Sequence, residues 1–239
     1  MDRTLAIIPA RSGSKGLPGK NIIKIAGEPL IYWTINTAKK SSLITDCIIS
    51  TDDNEIKKVA ERAGGRVPFS RPNELAGDTA SSVDVALHCI EYFEKQNIFF
   101  DNIVLLEPTS PLRKSDDIDN ALKLFYNNYA NTDGIVSLGK IHLENPSVVK
   151  YVENNLIWPV SLNGATDKIT RRQDYPDFYF PYGVLYIIKT TILKEKRSFY
   201  TNRIMPYYIE RWQNYELDDI YDFYSIEAIM KNKIQEGIL

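Results

Sequence analysis

"TLAIIPARSGSKGLPGKNI", residues 4–22, begins as an apolar run and passes straight into a loop of glycines and cations. Thr4 to Ala10 shows no alternation of apolar and polar residues, the pattern of a strand buried on both faces. Such a strand belongs to a sheet covered by helices, and the residues that follow keep alternating the two kinds of element. Residues 28–41 read as a helix with Pro29 in its first turn and Lys39 and Lys40 at its end. Residues 46–51 read as a strand, and 52–64 as a helix with an acidic start and a closing Gly64. A short strand at 66–69, a helix at 82–96, a strand at 101–107, a helix at 115–129 capped by Ser115 and a strand at 133–139 follow. This alternation predicts an α/β fold with a doubly wound, mostly parallel sheet.

Past residue 140 the rhythm changes. Residues 147–160 suggest a hairpin turning at Asn154-Asn155, 182–189 a strand, and 217–235 an amphipathic helix. The chain reads as one domain, 1–239, with an insertion at about 140–180. That insertion holds Trp158, Tyr175, Phe178, Tyr179 and Phe180, more aromatic surface than a short irregular segment buries alone, so it is the expected contact of a homodimer.

Composition removes several classes. With 29 Lys+Arg against 31 Asp+Glu in 239 residues, no basic footprint for nucleic acid exists. Two cysteines, Cys47 and Cys89, are too few for a disulfide framework or structural zinc site and read as buried thiols. His88 and His142 are the only histidines, and no Gly-x-Ser-x-Gly elbow occurs, so neither a Ser-His-Asp hydrolase nor a histidine metal centre is supported. No leader precedes the first strand and no apolar stretch approaches the roughly 20 residues of a membrane span, so a cytoplasmic protein is expected.

The glycine loop fits neither familiar phosphate template. Five residues separate Gly13 from Gly19, where a P-loop needs four, and Asn21 stands where it needs a hydroxyl. Ser14-Lys15 after Gly13 also breaks the dinucleotide register. What remains is a strand-to-helix loop carrying Arg11, Lys15 and Lys20, at the sheet edge where open α/β folds bind ligands. Glycines let backbone N–H groups approach an anion, and the cations neutralise it.

At this point the residues resemble a known family. "IIPARSGSKGLPGKNI" (7–22) is similar to the signature of the CMP-sialic acid synthetases, the N-acylneuraminate cytidylyltransferases and their relatives acting on other nonulosonic acids. "RPNELAGDTASS" (71–82), "LLEPTSPLR" (105–113), "RRQDYPDFYFPYGVLYI" (171–187) and "YELDDIYDF" (215–223) resemble its later motifs in the same order. The resemblance implies a nucleotidyltransferase that joins CTP to the anomeric hydroxyl of a nine-carbon 2-keto acid sugar and releases pyrophosphate.

By that resemblance Arg11, Ser14, Lys15, Lys20 and Asn21 line the triphosphate, with Lys20, Arg11 and Lys15 catalytic through charge. Arg71, Ala80 and Ser82 surround the cytosine and ribose, although Arg71 taken alone also reads as a surface ion pair. Glu216 and Asp218 are the carboxylates expected to hold Mg²⁺, which takes one or two carboxylates plus substrate phosphates. Their i, i+2 spacing shares one side only if the segment is extended. Asp219 reads as the cap of the last helix. Glu107, Arg172, Tyr182 and Tyr186 fall on the sugar side, with Arg171 assisting and Phe199 and Tyr200 on the same wall. The aromatics of 171–187 serve equally well as subunit packing.

This sequence departs from the sialic acid pattern at three places. Glu216 stands where Asp is more usual, Glu107 where Gln is typical, and Pro181-Tyr182-Gly183-Val184 where Pro-Asn-Gly-Ala is typical. Glutamine donates and accepts hydrogen bonds, whereas ionised glutamate only accepts. The departures open legionaminic or pseudaminic acid as the acceptor. Two further readings stay open: a CMP-3-deoxy-manno-octulosonate synthetase, which shares the "LPGK" of residues 17–20, and a non-catalytic nucleotide-sugar binding module.

Overall fold

Thr4–Pro9 (β1) is buried between the strands Asp46–Ser50 and Asn102–Leu105. Its residues alternate between two apolar layers: Ala6 and Ile8 face one, Leu5 and Ile7 the other, and none of the four is exposed. The computed structural model describes residues 2–13, 16–77, 79–160 and 176–239. After β1 come a small hairpin of β2 (Lys24–Ile25) and β3 (Glu28–Pro29), then α1 (Leu30–Lys40), β4 (Asp46–Ser50), α2 (Asn54–Arg62) and α3 (Ser82–Glu94). Next are β5 (Asn102–Leu105), α4 (Asp117–Asn127), β6 (Gly134–Lys140), β7 (Lys150–Glu153) and β8 (Leu156–Pro159). The chain ends with β9 (Tyr179–Lys189), α5 (Thr190–Lys196), β10 (Ile204–Tyr208) and α6 (Ile220–Gln235).

Six strands form one sheet in the order β10-β6-β9-β5-β1-β4. β4 and β5 flank β1 in parallel, and β10 is parallel to β6. β9 is antiparallel to both its neighbours, β5 and β6. The α/β class and the mostly parallel sheet therefore hold. One layer joins α1, α2 and α4 through Ile31, Ile35, Ile56 and Phe125; the other joins α3 and α5 through Val85, Ile90, Phe93 and Leu193. A third cluster seats α6 through Ile226 and Met230 on Leu30, Leu112 and Leu217. The face that α6 covers lies next to the strand ends that carry the site.

Several local expectations change. Residues 66–69 form no strand: Arg66 makes a single parallel bridge to Ile48, because the segment leaves the sheet edge at once. Pro29 sits before α1 with extended backbone rather than in its first turn, since residues 28 and 29 pair in the β2–β3 hairpin. Ser115 does not cap α4; Asp116 occupies that position, without a side-chain cap. Cys89 is buried but Cys47 is only half-buried, and both are free thiols. The β7–β8 hairpin turns at Asn154 (φ 51°) and Asn155 (φ 61°), as their tolerance of left-handed backbone allows. It forms its own two-stranded sheet outside the main one, with Val152 and Ile157 about as exposed as any surface residue, at 70% and 72%.

Candidate active site

The carboxyl ends of β1, β4 and β5 open onto a cleft of about 500 Å³. Four sets of residues meet there: Arg11, Gly16, Lys20 and Asn21 after β1; Arg71, Ala80, Ser82 and Val85; residues 107–109; and Glu216 with Asp218. Side-chain contacts anchor the described residues on either side of positions 14 and 15. Ser12 donates from its backbone (3.1 Å) and hydroxyl (2.6 Å) to Asp52, just beyond β4. Asn21, buried, donates from Nδ2 to the Arg11 carbonyl at 2.9 Å, so it braces the loop from within while lining the cleft. Gly19 takes φ 68°, a left-handed turn that delivers Lys20.

Lys20 reaches across the cleft to the chain's far end. Its Nζ lies 2.9 Å from Asp218 Oδ1 and 3.1 Å from the Leu217 carbonyl oxygen. This meeting depends on Gly16, where a Cβ would sit 2.3 Å from the Asp218 carbonyl oxygen. Residues 214–218 belong to no helix or strand, and Glu216 and Asp218 both line the cleft. Asp219 caps α6 by accepting from Tyr221 N (2.7 Å) and Asp222 N (3.0 Å), which leaves Asp218 as the exposed carboxylate.

Arg71 is no surface ion pair. It is buried, donating from Nε to Ser50 Oγ at 3.0 Å and from Nη2 to the Ser50 carbonyl, while its own N–H bonds the Thr51 carbonyl at 2.8 Å. Burial lowers its pKa. Arg71 is therefore tied to the end of β4 and forms part of the cleft wall together with Ala80 and Ser82.

The wall on the other side is built around an irregularity in β9. The β6–β9 register shifts between Val136 and Leu138, which releases backbone groups of residues 182–185 from the ladder. Several of them bond side chains instead. Ser137 Oγ accepts from Leu185 N at 3.0 Å and shares its proton with the Tyr182 and Leu185 carbonyls. Arg113, fully buried, donates to the carbonyls of Val184 (2.5 Å), Gly183 (3.2 Å) and Glu107 (3.2 Å), and to Thr34 Oγ1 at 3.2 Å. The Gly183 N–H donates to Glu216 Oε1, which also takes a 3.4 Å contact from Ser110 Oγ.

Glu107 lies over Gly183, where a Cβ would sit 2.3 Å from Glu107 Oε2. Burial, reinforced by the nearby Glu216 carboxylate, pushes its carboxyl up to about 7. Burial also raises Glu216, partly offset by the Gly183 N–H. Glu107 and Ser82 line a second recess of about 230 Å³ as well as the cleft. Tyr186, Phe199 and Tyr200 form the recess wall, with ring centroids 5.7 Å (Tyr186–Phe199) and 6.4 Å (Tyr186–Tyr200) apart.

A family model described as cytidylyltransferase matches residues 5–233. The chain belongs to the cytidylyltransferase family. This cytidylyltransferase is 33% identical over 232 residues to the CMP-N,N'-diacetyllegionaminic acid synthase of Legionella pneumophila, covering 96% of this chain and 97% of the relative. It is 35% identical over 224 residues to the N-acylneuraminate cytidylyltransferase of Streptococcus agalactiae, covering 92% of this chain and 52% of the relative, so it spans about half that protein's length. A solved CMP:2-keto-3-deoxy-manno-octonic acid synthetase in complex with CTP superposes with a TM-score of 0.69 over 97% of this chain and 99% of that one; at 19% identity this is a likeness of fold.

The cytidylyltransferase cleft thus brings together Arg11, Lys20, Asn21, Arg71, Ala80, Ser82, Glu107, Glu216 and Asp218, and Tyr186 joins them through the recess. Ser14, Lys15, Arg171 and Arg172 lie outside the described residues. Tyr182 lines neither cavity: the β9 irregularity turns it against Phe180, at 5.0 Å between centroids. Sequence reasoning missed Arg113 and Ser137, whose partners are backbone carbonyls on other strands. The "PLR" that ends the third motif was the available signal for Arg113.

Proposed function

We propose that this cytidylyltransferase transfers CMP from CTP to the anomeric hydroxyl of a sialic acid-like nonulosonic acid. The hydroxyl oxygen bonds the α-phosphorus, the bond from that phosphorus to the bridging oxygen breaks, and pyrophosphate leaves with the electron pair. The hydroxyl proton passes to water. The observation that carries this reading is the joining of two cavities at Glu107: a charged cleft headed by Arg11 and Lys20, and an aromatic recess beside it. The first suits a triphosphate and the second an acylated sugar tail.

In this reading Lys20 exchanges Asp218 for the phosphates, and Arg11 lies along the same anion. Asn21 and Arg71 act one step back, by holding the loop and the nucleoside wall in place. Glu216 and Asp218 are the residues that would hold Mg²⁺. Their chemistry fits: they are hard oxygen donors on one wall, and among the described residues no cluster of three or more acidic, histidine or cysteine ligands forms a complete cage. That set suits an ion that takes its remaining ligands from phosphate and water. Bound there, the ion supplies charge neutralisation as the pyrophosphate departs.

We further propose a homodimer paired through the hairpin region at about 140–180. The exposed Tyr151, Val152, Leu156, Ile157 and Trp158 support it, since apolar surface concentrated in this way marks a contact. No helix among the described residues is long and apolar enough to cross a membrane, and two free thiols suit a reducing compartment such as the cytoplasm.

Pyrophosphate release with CTP and Mg²⁺ tests the reading against N-acetylneuraminate, legionaminate, pseudaminate and 3-deoxy-manno-octulosonate. Turnover with a nine-carbon acid, and with CTP over UTP, is expected. A preference for the eight-carbon acid, or CTP binding without turnover, overturns it.

A further inference from the structure

We propose that Glu107 makes this enzyme select acids whose N-acyl tail ends in a hydrogen-bond donor, an ammonium above all, over acids whose tail ends in a methyl group. The inference rests on the reading that the recess takes the sugar tail. The recess lining is mainly apolar and aromatic, from Val83, Leu105, Tyr186, Phe199 and Tyr200, with Ser82 and Ser198 as small polar members and Glu107 as its one carboxylate. Arg197 stands at its edge, but its guanidinium is engaged by Asp84.

Into this lining the fold sets one carboxylate. No described residue donates a hydrogen bond or forms an ion pair with it, although it accepts in up to four directions. Its place is not accidental to the backbone. Residue 183 must lack a Cβ for Glu107 Oε2 to lie where it does, and the same residue's N–H and carbonyl are held by Glu216 and Arg113. Gly183 and its two anchors therefore keep space open for an acceptor.

A half-buried carboxylate without a donor is unfavourable, and Glu216 nearby makes it more so. A methyl group entering the recess would deepen that burial and leave the carboxylate unsatisfied. An ammonium would satisfy it and offset the repulsion from Glu216. A hydroxyl would do part of this. The expected order of tails is thus ammonium, then hydroxyl, then methyl.

Three acids that differ at one tail atom test this: N-glycylneuraminate (–CH₂NH₃⁺), N-glycolylneuraminate (–CH₂OH) and N-acetylneuraminate (–CH₃). Pyrophosphate release with CTP and Mg²⁺ at pH 8 gives kcat/KM for each, in the wild-type enzyme and in Glu107→Gln. The wild type is expected to favour the glycyl over the acetyl acid by about tenfold or more, the worth of a charge-assisted hydrogen bond. Glu107→Gln, similar in shape, should bring that ratio close to one, mainly through KM. A wild-type preference for the acetyl acid, or a glycyl preference that the variant leaves unchanged, overturns the inference alone. No turnover with these or any other nonulosonate overturns the functional reading, and the inference with it.

Discussion

Glu107→Gln should also change how folding responds to pH, and the magnitude follows from the site. The wild-type carboxyl rises from 4.5 in the unfolded chain to about 7 in the fold, because it is buried beside Glu216. Between these values the unfolded chain has released its proton while the folded one keeps it. Stability therefore falls as pH rises across that window. At 1.36 kcal/mol per pH unit, the loss between pH 5 and pH 8 is about 2.5 kcal/mol. Glutamine has no proton to release, so the variant should lack this loss. Urea unfolding of both proteins at pH 5, 6, 7 and 8, in EDTA and without nucleotide, measures it. The two curves should lie close at pH 5 and diverge, with the variant about 2.5 kcal/mol the more stable at pH 8. All other titrating groups enter both proteins, so only the divergence matters. Parallel curves would show that Glu107 has a donor in the folded enzyme, and the account of an unsatisfied carboxylate would fail.

Lys20→Met should lower kcat by about 10²–10³, a loss of charge at the departing phosphates, while changing unfolding free energy by less than about 1 kcal/mol because its partner Asp218 is 75% exposed; steady-state kinetics and urea titration separate the two. Arg113→Lys keeps the charge but cannot span the carbonyls of Glu107, Gly183 and Val184, so a loss of about 3–5 kcal/mol in stability is expected by chemical denaturation. Gly183→Ala drives a Cβ into Glu107, and should depress kcat/KM for the acid more than for CTP; pairing it with Glu107→Ala should recover part of the stability, as a double-mutant cycle would show. Ile157→Asp with Trp158→Asp on the exposed hairpin should give a monomer by light scattering with an unchanged circular dichroism spectrum, and a persistent dimer would send the contact elsewhere.

Local chemistry explains which parts were legible in advance. β1 is readable because a strand covered on both faces must be apolar throughout, and Leu5 to Ile8 are. The hairpin at Asn154-Asn155 and the Asp219 cap are readable because left-handed backbone and helix N-termini make demands that few side chains meet. β10 and α5 carried no comparable signature. "IMPYY" becomes a strand because β6 offers it an edge, and its residues are only partly buried. Ser115 failed as a cap because the turn before α4 is set by Lys114 N donating to Asp117 at 2.7 Å, a contact within the folded turn.

The site divides along the same line. Sequence alone determined that this chain carries a loop of glycines and cations after its first strand, two acidic residues near its end, and the five ordered motifs of a cytidylyltransferase. Loop composition and residue spacing are enough for that. Only tertiary structure decided what these groups do to one another. Lys20 and Asp218 are separated by 198 residues and meet at 2.9 Å because Gly16 lets two backbones touch. Glu107 becomes an acceptor without a donor among the described residues only where β9 breaks its ladder, Gly183 clears a space and Arg113 holds both, and Tyr182 is turned away by the same break. Charge and hydrogen bonding act over a few ångströms, so their outcome depends on distances that the order of residues does not contain.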